Sequence, residues 1–399
     1  MRVLIAPDSF GGVLPAGTVA VAAADGWREV RPDDTVHTLP LSDGGEGLLD
    51  VLAALHPAAT RTTVEVAGTD TRPVRAPVLW LDARTAVLET ARICGLPPAD
   101  VPRRPLEATS YGVGQALTHV VEAGAEHVIV GLGGTGVVDG GSGALNGLGM
   151  RLRRADGSGL RVGAADLAEC TGVDRGWARW PDGVRLDLLA DTDVPVTAAV
   201  ARYGPQKGLA TERIGPLAAA VAGWADVLTA AFPGRVGPDT PHTGAAGGLG
   251  LALAVALGGR LTAGATWVAE RAGLDGAVAT ADLVVTGEGR LDATTTTGKV
   301  VDEVARTARR HGRPVGVVAG TIDTEVAARL GIAERLRATA PATAPTAAPT
   351  AAPTAAPTAA PAAGAGDAAV AAVRAAGRLL ASRITSVHSE HAPDRTPRA

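Results

Sequence analysis

The stretch DLVVTGEGRLDATTTTGK at residues 282–299 decides the fold. Its first part, DLVVTG, is a short apolar run rich in β-branched residues that ends at a glycine, which is typical of a buried strand. Glu288, Arg290 and Asp292 follow directly, and after Lys299 the sequence VVDEVARTARRHG has helical spacing. Charged groups at the carboxyl end of a strand lie where open α/β sheets bind their ligands. An ordinary strand–loop–helix crossover with solvated charges would show the same pattern.

The composition indicates a protein with a sizeable core. Of the 399 residues 46% are hydrophobic, only 3% are aromatic and 52 are glycine, which favours tight α/β packing over an aromatic-rich β-sandwich. The formal net charge is −4 and no long basic run occurs, so neither nucleic acid nor an anionic membrane is expected as a partner. Cys94 and Cys170 lie far apart, which predicts neither a disulfide scaffold nor a metal site. Because we find no apolar run of about 18 residues and no signal sequence, we predict no membrane span and expect a cytoplasmic protein.

The first 58 residues alternate predicted strands and helices. The first strand is followed by the turn PDSFGG, which contains Asp8 and Ser9, and the second is followed by the loop DGGEG at 43–47. A helix-like segment comes after each loop, and this βαβα order is typical of a mostly parallel sheet. An Asx turn or a helix cap would also explain Asp8, and an ordinary charged loop would explain the acids of DGGEG.

Residues 60–105 have a different pattern. The segments TTVEVAG, RPVRAPVLWL and TAVLETA alternate apolar and polar residues without helix-length spacers, which predicts antiparallel strands. We therefore predict an α/β fold with a Rossmann-like, mostly parallel sheet domain and a second, inserted α/β domain. The predicted limits are 1–58, 106–150 and 245–399 for the first domain and 59–105 and 151–244 for the second.

A low-complexity segment at 340–363 repeats P-T-A-A, with proline at every fourth position. Proline at that density blocks a helix and favours an extended or disordered surface insertion. The next stretch, DAAVAAVRAAGRLLASRI at 367–384, has strong helical spacing and is the predicted last helix of the sheet domain.

The sequence GLGGTG at 131–136 matches the pattern G-x-G-x-x-G after a predicted strand. A dinucleotide site also requires a helix and a second apolar strand that ends in an acidic residue about 20 positions later. Here the segment VVDGGSGALNGLGM and then the charged RLRRADGSGL follow, which disfavours a dinucleotide site. A backbone nest near phosphate that includes Gly134, with Asp139 beside it, is the better interpretation. A Walker loop is excluded because GRLDATTTTGKV has the wrong spacing.

Further acidic strand ends and glycine-bounded loops predict phosphate chemistry. VRLDLLADTDVPV at 184–196 is a predicted strand that ends near Asp191, and YGPQKG at 203–208 places Gln206 and Lys207 in a loop bounded by glycines. Carboxylates suit Mg²⁺, and a lysine in such a loop suits a phosphate, although a solvated turn would also explain Lys207.

Seven motifs carry a resemblance to a known family: APDSFGG, LSDGGEG, ATSYGVG, GLGGTGVVDGG, YGPQKG, TGAAGGLG and TGEGRLDATTTTGK. Taken together and in this order, they resemble the type I glycerate kinase family over residues 1 to about 320 and the final helix. The resemblance implies an ATP- and Mg²⁺-dependent kinase that phosphorylates D-glycerate to a phosphoglycerate. It also implies two α/β domains with the site in the cleft between them. The oligomeric state and the hydroxyl group that is phosphorylated stay open.

The resemblance also supplies the candidate site residues. Asp8, Asp43 and Asp191 are the candidates for catalysis, and Asp43 and Asp191 are also the candidates for binding Mg²⁺. The candidates for binding substrate and phosphate are Ser9, Gly44, Gly45, Glu46, Gly134, Asp139, Gln206, Lys207, Glu288, Arg290, Asp292 and Lys299.

The sequence departs from the usual family pattern at four positions. Gly11 replaces a lysine, Val138 and Val194 each replace an asparagine, and Thr294 replaces a glutamine. Two alternatives to glycerate phosphorylation follow. One is a kinase of a related hydroxy acid, with a pocket made less polar by the two valines. The other is a catalytically weak member of the family that binds a nucleotide or metabolite and has a regulatory role.

Overall fold

The computed structural model describes residues 1–98, 100–178, 180–234, 236–338 and 365–390. The P-T-A-A repeat predicted as an insertion at 340–363 lies outside these residues.

Strands and helices alternate along most of the described chain. The strands are β1 (Arg2–Ile5), β2 (Thr35–Thr38), β3 (Thr60–Ala67), β4 (Pro73–Trp80), β5 (Thr85–Glu89), β6 (His127–Gly131), β7 (Arg151–Arg153), β8 (Gly172–Asp174), β9 (Arg185–Ala190), β10 (Arg260–Ala263), β11 (Leu283–Leu291), β12 (Val315–Ile322) and β13 (Glu334–Arg337). The helices are α1 (Ala16–Val30), α2 (Leu48–Leu55), α3 (Ala91–Cys94), α4 (Tyr111–Glu122), α5 (Ser142–Gly147), α6 (Val196–Tyr203), α7 (Thr211–Ala231), α8 (Leu249–Leu257), α9 (Gly264–Arg271), α10 (Leu274–Thr280), α11 (Val300–Arg310), α12 (Thr324–Arg329) and α13 (Ala365–Glu390).

The first sheet has the strand order β13-β12-β11-β1-β2, and all of its strands are parallel. The central strand β11 begins in the stretch DLVVTG, and its apolar residues are buried, as a strand covered on both faces requires. The predicted α/β fold with a mostly parallel sheet is therefore confirmed. All carboxyl ends of this sheet lie at one edge, which is where the loops after β1 and β2 begin.

The second sheet has the order β10-β9-β6-β5-β4-β3. The pairs β3–β4 and β4–β5 are antiparallel, as the pattern of 60–105 predicted, and the remaining pairs are parallel. However, β6 and β10 pair in this sheet, whereas the predicted domain limits place their residues with the first sheet. A buried parallel strand is an apolar run whichever sheet it joins, so the sequence pattern could not assign these two strands. The remaining domain limits stay a prediction.

Helices separate the two sheets and cover their outer faces. One outer core contains Trp27 of α1 and Val373 of α13, packed on the first sheet. This confirms the predicted last helix, and α13 lies so close to α1 that a Cβ at Gly26 would be 2.0 Å from the Arg374 carbonyl oxygen. A second core joins the sheets, because it includes Val284 of β11 and Leu189 of β9. A third core, under α4, α5, α7 and α8, covers the other face of the second sheet.

By length and composition alone, one helix among the described residues could cross a membrane. This helix is α7, which has 21 residues, and about 28% of its most apolar stretch is buried. The sequence-based expectation that no such apolar run occurs is therefore wrong for α7. Trp224 of α7 is buried in the third core, and its Nε1 donates a hydrogen bond to the Gly140 carbonyl oxygen at 2.9 Å. A helix packed against the core of a soluble protein can have the same length and apolar composition.

Candidate active site

The carboxyl ends of strands from both sheets meet at one cleft. Asp8 and Asp43 lie in the loops after β1 and β2, Glu288 lies near the end of β11, and Asp191 directly follows β9 of the second sheet. The Asp8 amide donates a hydrogen bond to the Gly287 carbonyl oxygen at 2.8 Å, which ties the first loop to β11. The four carboxylates therefore face one another because two sheets present the same kind of strand end, as open α/β sheets do at ligand sites.

The cleft has a volume of about 570 Å³, which is suited to a small-molecule ligand. Its lining includes most of the residues that the sequence analysis singled out. These are Asp8, Ser9, Asp43, Gly45, Glu46, Gly134, Asp191, Gln206, Glu288, Arg290, Asp292 and Lys299.

Lys299 supplies positive charge at the centre of this acidic cleft. It occupies the N-cap position of α11, and its Nζ lies 3.8 Å from Asp43 Oδ2. Burial by itself would lower the pKa of Lys299, but the surrounding carboxylates, Asp43 foremost and then Asp191, raise it above its ordinary value. Lys299 therefore stays charged and partly neutralises the carboxylates. A second cation, Arg290, has its Nε 3.1 Å from Asp292 Oδ2 at the rim.

Three carboxyl groups of the cleft, those of Asp8, Asp191 and Glu288, have raised pKa values. Burial, and after it the charge of Asp43, raises the pKa of Asp8 well above its usual value. The same two causes raise the pKa of Asp191 to about 6. Burial raises the pKa of Glu288 to about 7, although a 2.6 Å hydrogen bond from the Thr295 hydroxyl opposes this shift. Groups that exchange protons close to neutral pH are suited to general acid–base catalysis.

Asp43 and Asp191 are suited to a magnesium ion that also binds substrate phosphates, rather than to a metal ion held by protein side chains alone. In the part of the chain that the structure describes, no group of three or more His, Cys, Asp or Glu side chains could hold a metal ion. Mg²⁺ commonly keeps several waters and binds to one or two carboxylates together with substrate phosphates. Asp43 and Asp191 offer such a set of hard oxygen ligands, and the repulsion between them would be reduced by a cation.

A smaller pocket continues the cleft into the second sheet. It shares Gly134, Asp191 and Gln206 with the cleft that contains Asp8, Asp43 and Lys299, which we call the large cleft. The smaller pocket adds Lys207 to the lining. The buried Lys207 Nζ donates hydrogen bonds to the Val137 carbonyl oxygen at 2.7 Å and more weakly to Thr135 Oγ1 at 3.4 Å. Burial lowers the pKa of Lys207 to about 8. Lys207 is therefore a buried cation next to the carboxylate of Asp191, rather than part of a solvated turn.

Asp139 and Gly44 do not line the cleft. Asp139 is fully buried and accepts hydrogen bonds from the amides of Ser110, Gly141 and Gly143 and from the Ser110 hydroxyl. The sequence predicts that Asp139 contacts the substrate. In the structure Asp139 is instead enclosed by these donors and fixes the loop after GLGGTG. The sequence could not show this, because the donors come from a distant segment as well as from the loop itself. Gly44 is likewise buried.

Two of the four departures from the family pattern lie in different surroundings from those expected. Gly11 and Thr294 line the cleft. Val138 is only 2% exposed and belongs to the core of the second sheet. The side chain of Val194 lines neither the cleft nor the smaller pocket, and the Val194 carbonyl oxygen accepts the Gly244 amide at 3.0 Å. The two valines therefore do not make the cleft less polar.

The structure adds residues that the sequence analysis did not propose. Tyr203 and Thr192 line the smaller pocket, with a hydrogen bond of 2.6 Å between their hydroxyl groups. Phe10 and Gly320 line the large cleft. Tyr203 and Phe10 lie within the quoted motifs, which was the only signal for them, whereas Gly320 had none beyond its place near the end of an apolar strand.

Comparison with known proteins identifies the family. The family model for glycerate kinases matches residues 3–378. This chain belongs to the glycerate kinase family. It is 37% identical to a glycerate kinase of Bacillus subtilis (strain 168) over 333 residues, covering 82% of this chain and 86% of that protein. It is 33% identical to the glycerate 2-kinase of Escherichia coli (strain K12) over 332 residues, covering 82% and 87%.

A solved crystal structure has the same fold. It comes from Salmonella typhimurium LT2 and is assigned to glycerate kinase 2. The two structures superpose with a TM-score of 0.75 at 34% sequence identity, covering 98% of this chain and 99% of that one. The resemblance inferred from the seven motifs is thus confirmed, and this member of the glycerate kinase family is a kinase, that is, a transferase.

Proposed function

We propose that this protein transfers the γ-phosphoryl group of ATP to D-glycerate with the help of Mg²⁺, giving a phosphoglycerate and ADP. The observation that carries the proposal is the cleft in which Asp8, Asp43, Asp191 and Glu288 surround Lys299 in a chain of the glycerate kinase family. Small-molecule substrates suit a cleft of this size, and a cytoplasmic location is part of the proposal.

Asp191 is the proposed general base. It lines both the large cleft and the smaller pocket, so a hydroxyl group bound where the two meet lies next to its carboxylate. In the reaction, the substrate hydroxyl oxygen forms a bond to the γ-phosphorus while the bond from that phosphorus to the leaving oxygen of ADP breaks. The hydroxyl proton goes to Asp191. In such transfers positioning and electrostatic stabilisation supply most of the catalysis.

Asp43 is the proposed metal ligand, shared with phosphate oxygens, and Asp191 is the second candidate. The cation would neutralise charge on the transferring phosphoryl group. Lys299 holds the Asp43 carboxylate in place from 3.8 Å and brings a further positive charge to the phosphates. Arg290, whose guanidinium is partly exposed at the rim, is positioned to bind the glycerate carboxylate or a phosphate oxygen.

We propose the C2 hydroxyl group of glycerate as the acceptor. The support is the name of the Escherichia coli relative, glycerate 2-kinase, which is 33% identical over most of both chains. Enolase converts 2-phosphoglycerate directly, so an enolase-coupled assay without phosphoglycerate mutase distinguishes the two products. A signal that requires the mutase would assign the C3 hydroxyl instead.

The alternative of a less polar hydroxy acid has little support, because Val138 and Val194 do not line the cleft. A coupled ADP-release assay over D-glycerate, L-glycerate, glycolate and lactate tests it together with the regulatory alternative. Turnover on D-glycerate supports the proposal, whereas turnover on another acid alone, or nucleotide binding without turnover, would contradict it.

The variant Asp191→Asn tests the proposed base. We expect kcat to fall by about 10²–10⁴-fold, the usual contribution of general acid–base catalysis. Asp193→Asn is the matched control, because Asp193 lies two residues further along the same loop but is exposed and outside the cleft. A fall in Mg²⁺ affinity without a change in kcat at saturating Mg²⁺ would make Asp191 a metal ligand instead. Equal activity in both variants would remove Asp191 from the site.

A further inference from the structure

A third cavity lies beside the active site. It has a volume of about 680 Å³ and is enclosed by the β3–β4 turn (68–74) and the segments 93–98 and 101–108. This third cavity shares Lys207 with the smaller pocket, and the smaller pocket shares Asp191 with the large cleft. The three spaces therefore adjoin one another in a row, with Lys207 and Asp191 at the two junctions.

The chemistry of the third cavity differs from that of the large cleft. Val74, Ile93, Pro97 and Pro98 give it an apolar wall. Its charged lining consists of four cations and two anions, which are Arg72, Arg103, Arg104, Lys207, Asp70 and Glu107. The large cleft instead has six acidic and two basic side chains, which are Asp8, Asp43, Glu46, Asp191, Glu288, Asp292, Arg290 and Lys299.

We propose that the third cavity binds the nucleoside part of the phosphate donor, with the phosphate chain passing Lys207 towards Asp191. This inference rests on the proposed kinase function. A purine base is flat and mainly apolar, and cavities that bind such groups are lined by apolar side chains with a few polar contacts. A triphosphate carries several negative charges, so it is attracted to the cationic cavity and repelled by most of the large cleft. Only the terminal phosphate then needs to reach the acidic cleft, where Asp43 would hold Mg²⁺.

Lys207 is suitably placed to guide the phosphate chain. Its ammonium group has three N–H donors, and within the described residues two of these are directed to Val137 and Thr135. The third donor is available to a phosphate oxygen between the third cavity and the smaller pocket. Arg103 adds a second link, because its guanidinium donates a hydrogen bond to the carbonyl oxygen of Gln206, which lines the active site.

The wall of the third cavity is also tied to the glycine loop GLGGTG. The Gly136 amide donates to the Cys94 carbonyl oxygen at 2.9 Å, and Gly95 and Thr135 form an isolated antiparallel bridge. The segment 93–98 therefore keeps a fixed position relative to the loop that borders Asp191. A nucleoside held against this wall would be held in register with the catalytic groups, which is the positioning that phosphoryl transfer requires.

Two variants of the full-length protein test the inference, each with a matched control. Val101→Trp places a large ring in the third cavity from an exposed position, and Val21→Trp makes the same change at an exposed valine of α1. Arg104→Ala removes a cation that is paired with Glu107 at 3.1 Å, and Arg84→Ala removes one that is similarly exposed and paired with Glu126 at 2.6 Å. The measurements are the Kd for MgADP by titration calorimetry and the KM values for ATP and D-glycerate. Thermal unfolding shows that each variant is folded.

We expect Val101→Trp to weaken MgADP binding and raise the KM for ATP by about tenfold or more, the effect of losing about 1.4 kcal/mol of binding free energy. Arg104→Ala should have a smaller effect in the same direction. The KM for D-glycerate should change less than twofold, and both control variants should behave as the wild type.

The possible failures are distinguishable. If the wild type phosphorylates glycerate but Val101→Trp and Arg104→Ala bind MgADP normally, the nucleoside does not occupy the third cavity and the proposed function stands. A rise in the KM for D-glycerate alone would assign the third cavity to the acceptor and overturn the inference. If the wild type neither binds MgADP nor turns over with ATP, the proposed function itself is wrong, and the inference falls with it.

Discussion

Replacing Glu288 by glutamine should stabilise the fold at alkaline pH while impairing the kinase. Glu288 is buried at the end of β11, where burial raises the pKa of its carboxyl group to about 7 from an ordinary value of 4.5. A carboxyl group with a raised pKa in the folded state binds its proton more tightly there than in the unfolded chain. Its contribution to stability is therefore present in full below the unfolded pKa and is lost as pH rises through about 7.

The magnitude follows from the two pKa values. Ionising a carboxyl group with these values costs the folded state about 3 kcal/mol at pH 8 and only about 1 kcal/mol at pH 5. Glu288→Gln removes this cost, keeps the shape of the side chain and keeps an oxygen that can accept the 2.6 Å hydrogen bond from Thr295. The free energy of unfolding of the variant should therefore exceed that of the wild type by about 3 kcal/mol at pH 8, with a much smaller difference at pH 5.

Urea denaturation of both proteins at pH 5 and pH 8 measures this difference, and the coupled kinase assay measures the accompanying loss of activity. Glu46→Gln is the matched control, because Glu46 lines the same cleft but is exposed, and it should show no comparable pH-dependent gain. An equal change at both pH values, or a loss of stability at pH 8, would refute the reasoning that burial of Glu288 destabilises the fold.

Three further predictions concern the departures from the family pattern and the pH profile. Gly11 lines the cleft, and no atom lies within 4 Å of the place that a Cβ would take. Gly11→Lys should therefore raise kcat/KM for D-glycerate by about tenfold, while the φ of +39° at this position makes the substitution cost about 1–2 kcal/mol of stability. An unchanged kcat/KM would contradict this prediction. Val138→Asn should lower the free energy of unfolding by about 1–3 kcal/mol in urea denaturation, because it buries an amide in the core, and an improved KM would instead place Val138 in the site. Since the pKa of Asp191 is raised to about 6 and a base must be ionised to act, kcat/KM should rise as pH increases through about 6; a profile that is flat between pH 5 and 7 would count against Asp191 as the base.

Local patterns were sufficient to predict the parallel first sheet and the antiparallel strands of 60–105. An apolar run before a charged loop predicts a strand end wherever it occurs, and strand ends of parallel sheets share an edge. The pattern thus placed Asp8, Asp43, Asp191 and Glu288 at or after strand ends, and the resemblance to the family grouped them as one candidate site. The cleft contains all four. The seven motifs made the family recognisable because they preserve these loops in order.

The sequence could not assign β6 and β10 to a sheet or show that Asp139 is enclosed by backbone amides. It also could not show that Val138 lies in the core, or that Lys207 adjoins a third cavity. Each of these depends on contacts between segments that are distant along the chain. Burial is likewise a property of the packed whole, and it is burial that raises the pKa of Glu288 and Asp191 towards neutrality. Sequence by itself therefore determined which residues stand at the strand ends, whereas packing of the two sheets decided which of them face the cleft and how they ionise, because desolvation and charge repulsion exist only between groups that folding brings together.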